Sequence, residues 1–139
     1  MTTYVLGAGA SIHAGYPLCS ALWSRMAKWT IESQPVDSEF RRAVDVIAAI
    51  QGPVKDFESM FTDLDLGRVP FNALTEDDRN KLRGTIRRCV RAYFSSICTL
   101  HHEALLYRRS ATTLSDGDVI VTFNYDASLE SELVRAGRN

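Results

Sequence analysis

The chain has 139 residues, 45% of them hydrophobic and 24% charged, the size and balance of one ordinary globular domain able to bury a core. A formal net charge of −1 gives no footing for a dedicated nucleic-acid binder or for a protein held on acidic membranes. No apolar run approaches the roughly 18 residues of a bilayer span, and the start of the chain lacks a basic stretch followed by an apolar one, so a cytoplasmic protein is expected.

Three cysteines, Cys19, Cys89 and Cys98, are an odd number without Cys-x-x-Cys spacing. That argues against a disulfide framework and against a self-contained zinc site, and no metal is expected. Cys89 and Cys98 fall in a helical apolar pattern and read as core thiols. Cys19 is either a reactive thiol or a buried, inert one.

In chain order, Tyr4-Val5-Leu6 reads as a first strand, followed by Gly7-Ala8-Gly9-Ala10-Ser11 with Gly15 and Pro17 close behind. Leu18, Leu22 and Met26, with Trp23 beside them, then give a helical face up to Ile31. Residues 4–31 thus form a strand, glycine loop and helix. Glycines let a pyrophosphate approach backbone amides, and a helix start offers unpaired N–H groups to it. The strict Gly-x-Gly-x-x-Gly fingerprint is not met, because position 12 is Ile. A Gly-x-Gly by itself also fits a plain tight turn.

A helical region over residues 37–109 follows. Asp37 or Ser38 caps a helix carrying Phe40, Val44, Ile47 and Ile50, which Gly52-Pro53 stops. Asp56 to Leu66 is a shorter acidic helix with Phe57, Met60, Phe61 and Leu64 on its apolar side. Glu58 there faces either solvent or a ligand cleft. Gly67 to Leu74 reads as loop. Thr75 opens a long helix with Glu76, Asp77 and Asp78 in its first turn. Leu82, Ile86, Cys89, Tyr93 and Ile97 line that helix, and the stripe continues to Leu100 and Leu105. Its arginines read as a solvated face, and His101 and His102 as ordinary helix residues that cannot easily share one metal.

Ser115-Asp116-Gly117-Asp118 is a turn into Val119-Ile120-Val121-Thr122-Phe123. This continuous apolar run predicts a strand buried on both faces of a parallel sheet. Asn124-Tyr125-Asp126 follows at the strand's carboxyl end, where open α/β sheets place ligand groups. Turn chemistry alone also suits Asn124 and Asp126. Leu129, Leu133 and Val134 begin a last helix, capped by Gly137.

The pattern of Gly7, Ala8, Gly9, Ser11, Gly15 and Pro17 resembles the cofactor-binding loop of the sirtuin (SIR2) superfamily, which binds NAD on a variant Rossmann fold. Thr122-Phe123-Asn124-Tyr125-Asp126, followed by Leu129-Glu130, is similar to that family's Thr-Gln-Asn-x-Asp motif, with Phe123 in place of glutamine. The resemblance implies an α/β fold: an incomplete Rossmann-like parallel sheet of sirtuin type with a large helical insertion between its first two recognisable strands. The finer likeness is to the SIR2-like domains of bacterial anti-phage defence proteins. Leu18-Cys19-Ser20 stands where the protein deacylases carry Asp-Phe-Arg after the proline.

That likeness implies an NAD hydrolase releasing nicotinamide and ADP-ribose, with a defence-system partner or self-association holding it in check. It implies phosphate contacts from Gly7, Ala8, Gly9 and Ser11 within a loop closed by Gly15 and Pro17. Thr122 belongs to the binding site. Asn124 is the candidate catalytic residue toward a water or a ribose hydroxyl, and Asp126 toward the nicotinamide end. Sirtuin chemistry also uses a histidine placed at a distance that falls just past Asn139; none follows Asn124 here, since the three histidines are His13, His101 and His102. The resemblance therefore implies the N-terminal portion of one such domain over residues 1–139, with later strands supplied by further chain or a partner. A non-catalytic NAD or ADP-ribose sensor, an NAD-dependent deacylase and a helical interaction protein are the competing expectations.

Overall fold

The computed structural model describes residues 1–100, 104–122, 124 and 128–138, with side chains for all of these except 8 and 98–100. The protein is mixed α/β, mostly helical, with a small parallel sheet of two strands. The strands are β1 (Thr3–Leu6) and β2 (Val119–Thr122). The helices are α1 (Cys19–Ser33), α2 (Glu39–Gln51), α3 (Phe57–Leu66), α4 (Glu76–Leu100), α5 (Leu105–Thr113) and α6 (Ser128–Arg135). Short 3₁₀ helices occupy Ala8–Ala14 and Phe71–Ala73. The chain divides into two compact units, Met1–Leu18 with Phe94–Asn139, and Cys19–Tyr93. The expected strand–loop–helix segment 4–31 is thereby split: its strand and glycine loop lie in the first unit and α1 in the second.

In the second unit, α1 packs against α2 and α3. Its core is Leu22, Trp23, Met26, Ala43, Val44, Ile47, Met60, Leu64, Phe71, Ile86, Cys89 and Tyr93. Local chemistry sets the helix limits. Ser38 Oγ accepts the Arg41 amide 3.2 Å away, and the Asp56 carboxylate accepts the Ser59 amide at 2.9 Å. Thr75 Oγ1 accepts the Asp78 amide at 3.1 Å while its own hydroxyl donates to the Asp78 carboxylate at 2.6 Å. Each satisfies an amide left over at a helix start. Gly67 ends α3 with φ 63, a left-handed conformation that costs glycine little. The segment from Gly67 to Leu74, read as loop, holds the 3₁₀ turn whose Phe71 is fully buried.

In the first unit, β1 and β2 pair in parallel with Leu6 level with Thr122. Asp118 fastens the other end, accepting the backbone N–H of Thr2 at 2.7 Å and of Ser115 at 3.0 Å. α5 packs against α6 and the Ala8–Ala14 helix. Buried Glu132 of α6 accepts from Arg108 of α5 at 3.2 Å and from Arg135 at 2.5 Å. The β2 strand is not buried on both faces: Val119 and Val121 are exposed, as is Val5 beside them, while Ile120 and Thr122 on the other face are half-buried. Side chains alternate along a strand, so Val5 and Val121 share the barer face; on the other face Tyr4, level with half-buried Ile120, is exposed as well. The stripe expected to run from Leu100 through Leu105 is interrupted, and α5 is a separate helix. Cys98, His101, His102, Phe123, Tyr125 and Asp126 lie outside the described side chains.

Candidate functional site

Two strands that run parallel and end level deliver their following loops to one edge. β1 ends at Leu6 and hands over to Gly7; β2 ends at Thr122, two residues before Asn124. The two motifs, more than a hundred residues apart in sequence, therefore start from neighbouring points. The turn after β2 is held locally, because Thr122 Oγ1 accepts the Asn124 backbone N–H at 3.2 Å.

The glycine loop continues directly into the 3₁₀ helix Ala8–Ala14, with Gly15 as its left-handed cap at φ 89. At three residues per turn, positions three apart share a face. Ser11 and Ala14 occupy one face and are buried, while Ile12 is exposed. Only glycine adopts the Gly15 backbone without strain. Gly7 and Gly9 differ: a Cβ added at either would meet nothing within 4 Å. Pro17 is buried just beyond the cap. The Ala8 side chain, among the expected contacts, lies outside the described ones.

Ser11 is 1% exposed, and its hydroxyl faces the interior of the unit. There Asn124 Nδ2 donates to Ser11 Oγ at 2.7 Å and to Tyr107 Oη at 3.1 Å. The two hydroxyls are 2.8 Å apart. Tyr107, on α5 and 4% exposed, also meets the His13 ring edge-to-face, centroids 4.8 Å apart. Among the described residues three buried side-chain polar atoms lack a partner: His13 Nε2, Gln51 Oε1 and Asn124 Oδ1. Two of the three belong to this one cluster. A buried polar atom without a partner carries a desolvation cost of about 1–3 kcal/mol, so such atoms mark places where a ligand or water completes the bonding.

Of the expected site residues, the structure brings Ser11 and Asn124 into contact, sets Thr122 at the turn beneath Asn124 and places Gly7 and Gly9 at the same edge; Asp126 lies outside the described residues. Tyr107 and His13 join this cluster without belonging to the expected site residues. A tyrosine one helical turn before a buried alanine, Ala111, is on a core-facing side, and a buried phenol needs a polar partner. That signal points inward without naming the partner.

Cys19 belongs to the second unit. Its thiol donates to Glu58 at 3.3 Å. Burial, and then the bond and charge of Glu58, push the thiol above its ordinary range, so it stays protonated at neutral pH and is a poor nucleophile. Among the described residues no three His, Cys, Asp or Glu side chains are grouped as metal ligands, and no helix is long and apolar enough to cross a membrane. A cavity of about 740 Å³ lined by Leu114, Asp118, Ile120, Leu133 and Arg138 adjoins the turn before β2, and no expected site residue lines it. Compared with known proteins, the chain matches no family model, no curated protein and no solved structure.

Proposed function

We propose that the chain is the N-terminal part of a SIR2-like domain of Rossmann-like, sirtuin type that binds NAD and, in complete form, hydrolyses it. The net reaction is NAD⁺ plus water to nicotinamide, ADP-ribose and a proton. The setting proposed is cytoplasmic, as a bacterial anti-phage effector restrained by self-association or by a partner protein. One observation supports the reading above others: Ser11 of the glycine motif and Asn124 of the second motif share a 2.7 Å hydrogen bond at the carboxyl edge of a parallel strand pair. Plain turn chemistry accounts for each motif alone; it does not account for their joining through a buried serine and a half-buried asparagine.

The chemistry suits these groups. The C–N glycosidic bond breaks with its electrons leaving on nicotinamide, a neutral leaving group that needs no strong acid. The protein has to hold the dinucleotide and place a water oxygen at the anomeric carbon. The open space over Gly7 and Gly9 suits close approach of a pyrophosphate to the backbone. Asn124 Oδ1, buried and without a partner among the described residues, suits a proton of that water or of a ribose hydroxyl. Asp126 is assigned to the nicotinamide end by resemblance alone.

A second reading is a non-catalytic NAD or ADP-ribose sensor, which needs the same loop and Asn124 contacts but no bond breaking. A nicotinamide-release assay on the full-length native chain separates the readings. Asn124→Ala is expected to abolish release with the circular dichroism spectrum unchanged; an active variant overturns the assignment. NAD binding without release selects the sensor. Release that depends on an acyl-lysine peptide selects a deacylase, and no NAD-dependent thermal shift leaves only an interaction scaffold.

A further inference from the structure

We infer that Tyr107 is the positioning residue of this site: its hydroxyl fixes the Asn124 amide so that Oδ1, and not Nδ2, is the end left for the ligand. The inference rests on the reading of Asn124 given above and adds a residue that neither motif contains.

Counting protons carries the argument. Three polar atoms form a closed triangle: the amide end of Asn124, Ser11 Oγ and Tyr107 Oη, at 2.7, 3.1 and 2.8 Å. Three contacts need three protons. With the amide nitrogen in the triangle, two N–H and two O–H protons are on hand. With the amide oxygen there, only the two hydroxyl protons remain, and one contact becomes oxygen against oxygen with nothing between. The triangle therefore holds the nitrogen and turns Oδ1 away, in agreement with Oδ1 being the atom without a partner among the described residues.

Tyr107 decides this outcome. Ser11 alone satisfies either end of the amide equally, donating to oxygen or accepting from nitrogen, so a single bond leaves both orientations open and lets the amide pivot. The second hydroxyl removes that choice. Tyr107 is itself held by burial, by the His13 ring at 4.8 Å and by α5, whose next turn buries Ala111. Its stiffness passes to Asn124 through two contacts.

Tyr107→Phe keeps the ring and its packing and removes the one oxygen. In the full-length native chain, kcat for nicotinamide release is expected to fall about tenfold or more, the scale on which misplaced reacting groups lose rate, with KM for NAD within about threefold. The second readout needs no substrate: the Asn124 Nδ2 proton pair, followed by NMR at a temperature where the protein is folded. Its exchange with water is expected to be at least about tenfold faster in Tyr107→Phe. A site-specific difluorotyrosine at position 107, the same shape with a more acidic phenol, keeps the fold and weakens the acceptor; it is expected to shift the Nδ2 protons in the same direction. Unchanged Nδ2 protons in both variants overturn the inference, as does a kcat within twofold of the native value. A native chain inert toward NAD overturns the hydrolase reading alone, and the Nδ2 readout then decides the positioning role.

Discussion

Replacing Ser11 by alanine tests whether its hydroxyl is a structural link or a ligand contact. The side chain is 1% exposed, so the methyl fits the space and only the oxygen is lost. Asn124 Nδ2 loses its 2.7 Å acceptor, and Tyr107 loses its 2.8 Å neighbour while keeping the 3.1 Å bond to Asn124. One N–H proton is left in the interior with no acceptor. A stranded buried donor costs about 1–3 kcal/mol, so a loss of about 2 kcal/mol is expected, or about 4–8 °C in melting temperature for a chain of this size. A hydroxyl turned to solvent or to a bound phosphate would cost within about 0.5 kcal/mol on removal. The probe has to be chosen with care, since both tryptophans, Trp23 and Trp29, lie in the second unit. Intrinsic fluorescence follows that unit, and amide exchange at Tyr107 and Ala111 follows the first. A Ser11→Ala protein with unchanged stability and unchanged exchange at Tyr107 refutes the buried triangle and returns Ser11 to the phosphates.

Two further outcomes check the frame around the site. Phe71→Ala empties a fully buried position in the second unit and is expected to cost about 3–5 kcal/mol, read as a shift of the tryptophan-detected urea midpoint; a loss under about 1 kcal/mol contradicts the burial. The Asp118 carboxyl is held below the usual carboxylate range, chiefly by the Ser115 amide and then by that of Thr2. Its folded pKa lies below its unfolded one, so its contribution is fully present above the unfolded value near about 3.9 and is lost as pH falls through the folded value. Asp118→Asn is expected to flatten the acid limb of the stability–pH curve, and an identical limb in the variant refutes the role.

How far the sequence discloses this protein depends on the range of each interaction. Ser38, Asp56, Thr75, Gly52, Gly67 and Gly137 act within a few residues of themselves, so helix limits are legible in the chain. Phe71 is not, because one aromatic in a three-residue turn has no period to reveal it. Glu132 reads as an ordinary helix-surface charge until Arg108, 24 residues away, turns out to meet it. Tyr107 is hidden for the same reason: its hydroxyl partners are 96 residues before it and 17 after it. The motifs supplied Ser11 and Asn124; the residue joining them came from a helix that no motif touches.

The exposed valines show what holds this site in place. A parallel pair of two strands, bare on the face of Val5, Val119 and Val121, contributes little rigidity by itself, since parallel sheets ordinarily rely on cover from both sides. The strands still aim the two loops at one edge, because Leu6 and Thr122 end level. Fixing the loops there falls to side chains on helices. Tyr107 links the Ser11 loop to Asn124, and one residue further along α5 Arg108 binds buried Glu132 of α6, the helix that follows Asn124. Consecutive residues of α5 thus hold Asn124 itself and the helix that follows it. A change that shifts α5 is therefore expected to disturb the Asn124 amide more than a change on the exposed sheet face. Exchange at the Asn124 Nδ2 protons in Arg108→Met compared with Val121→Thr ranks the two, and equal effects would give the site to the sheet.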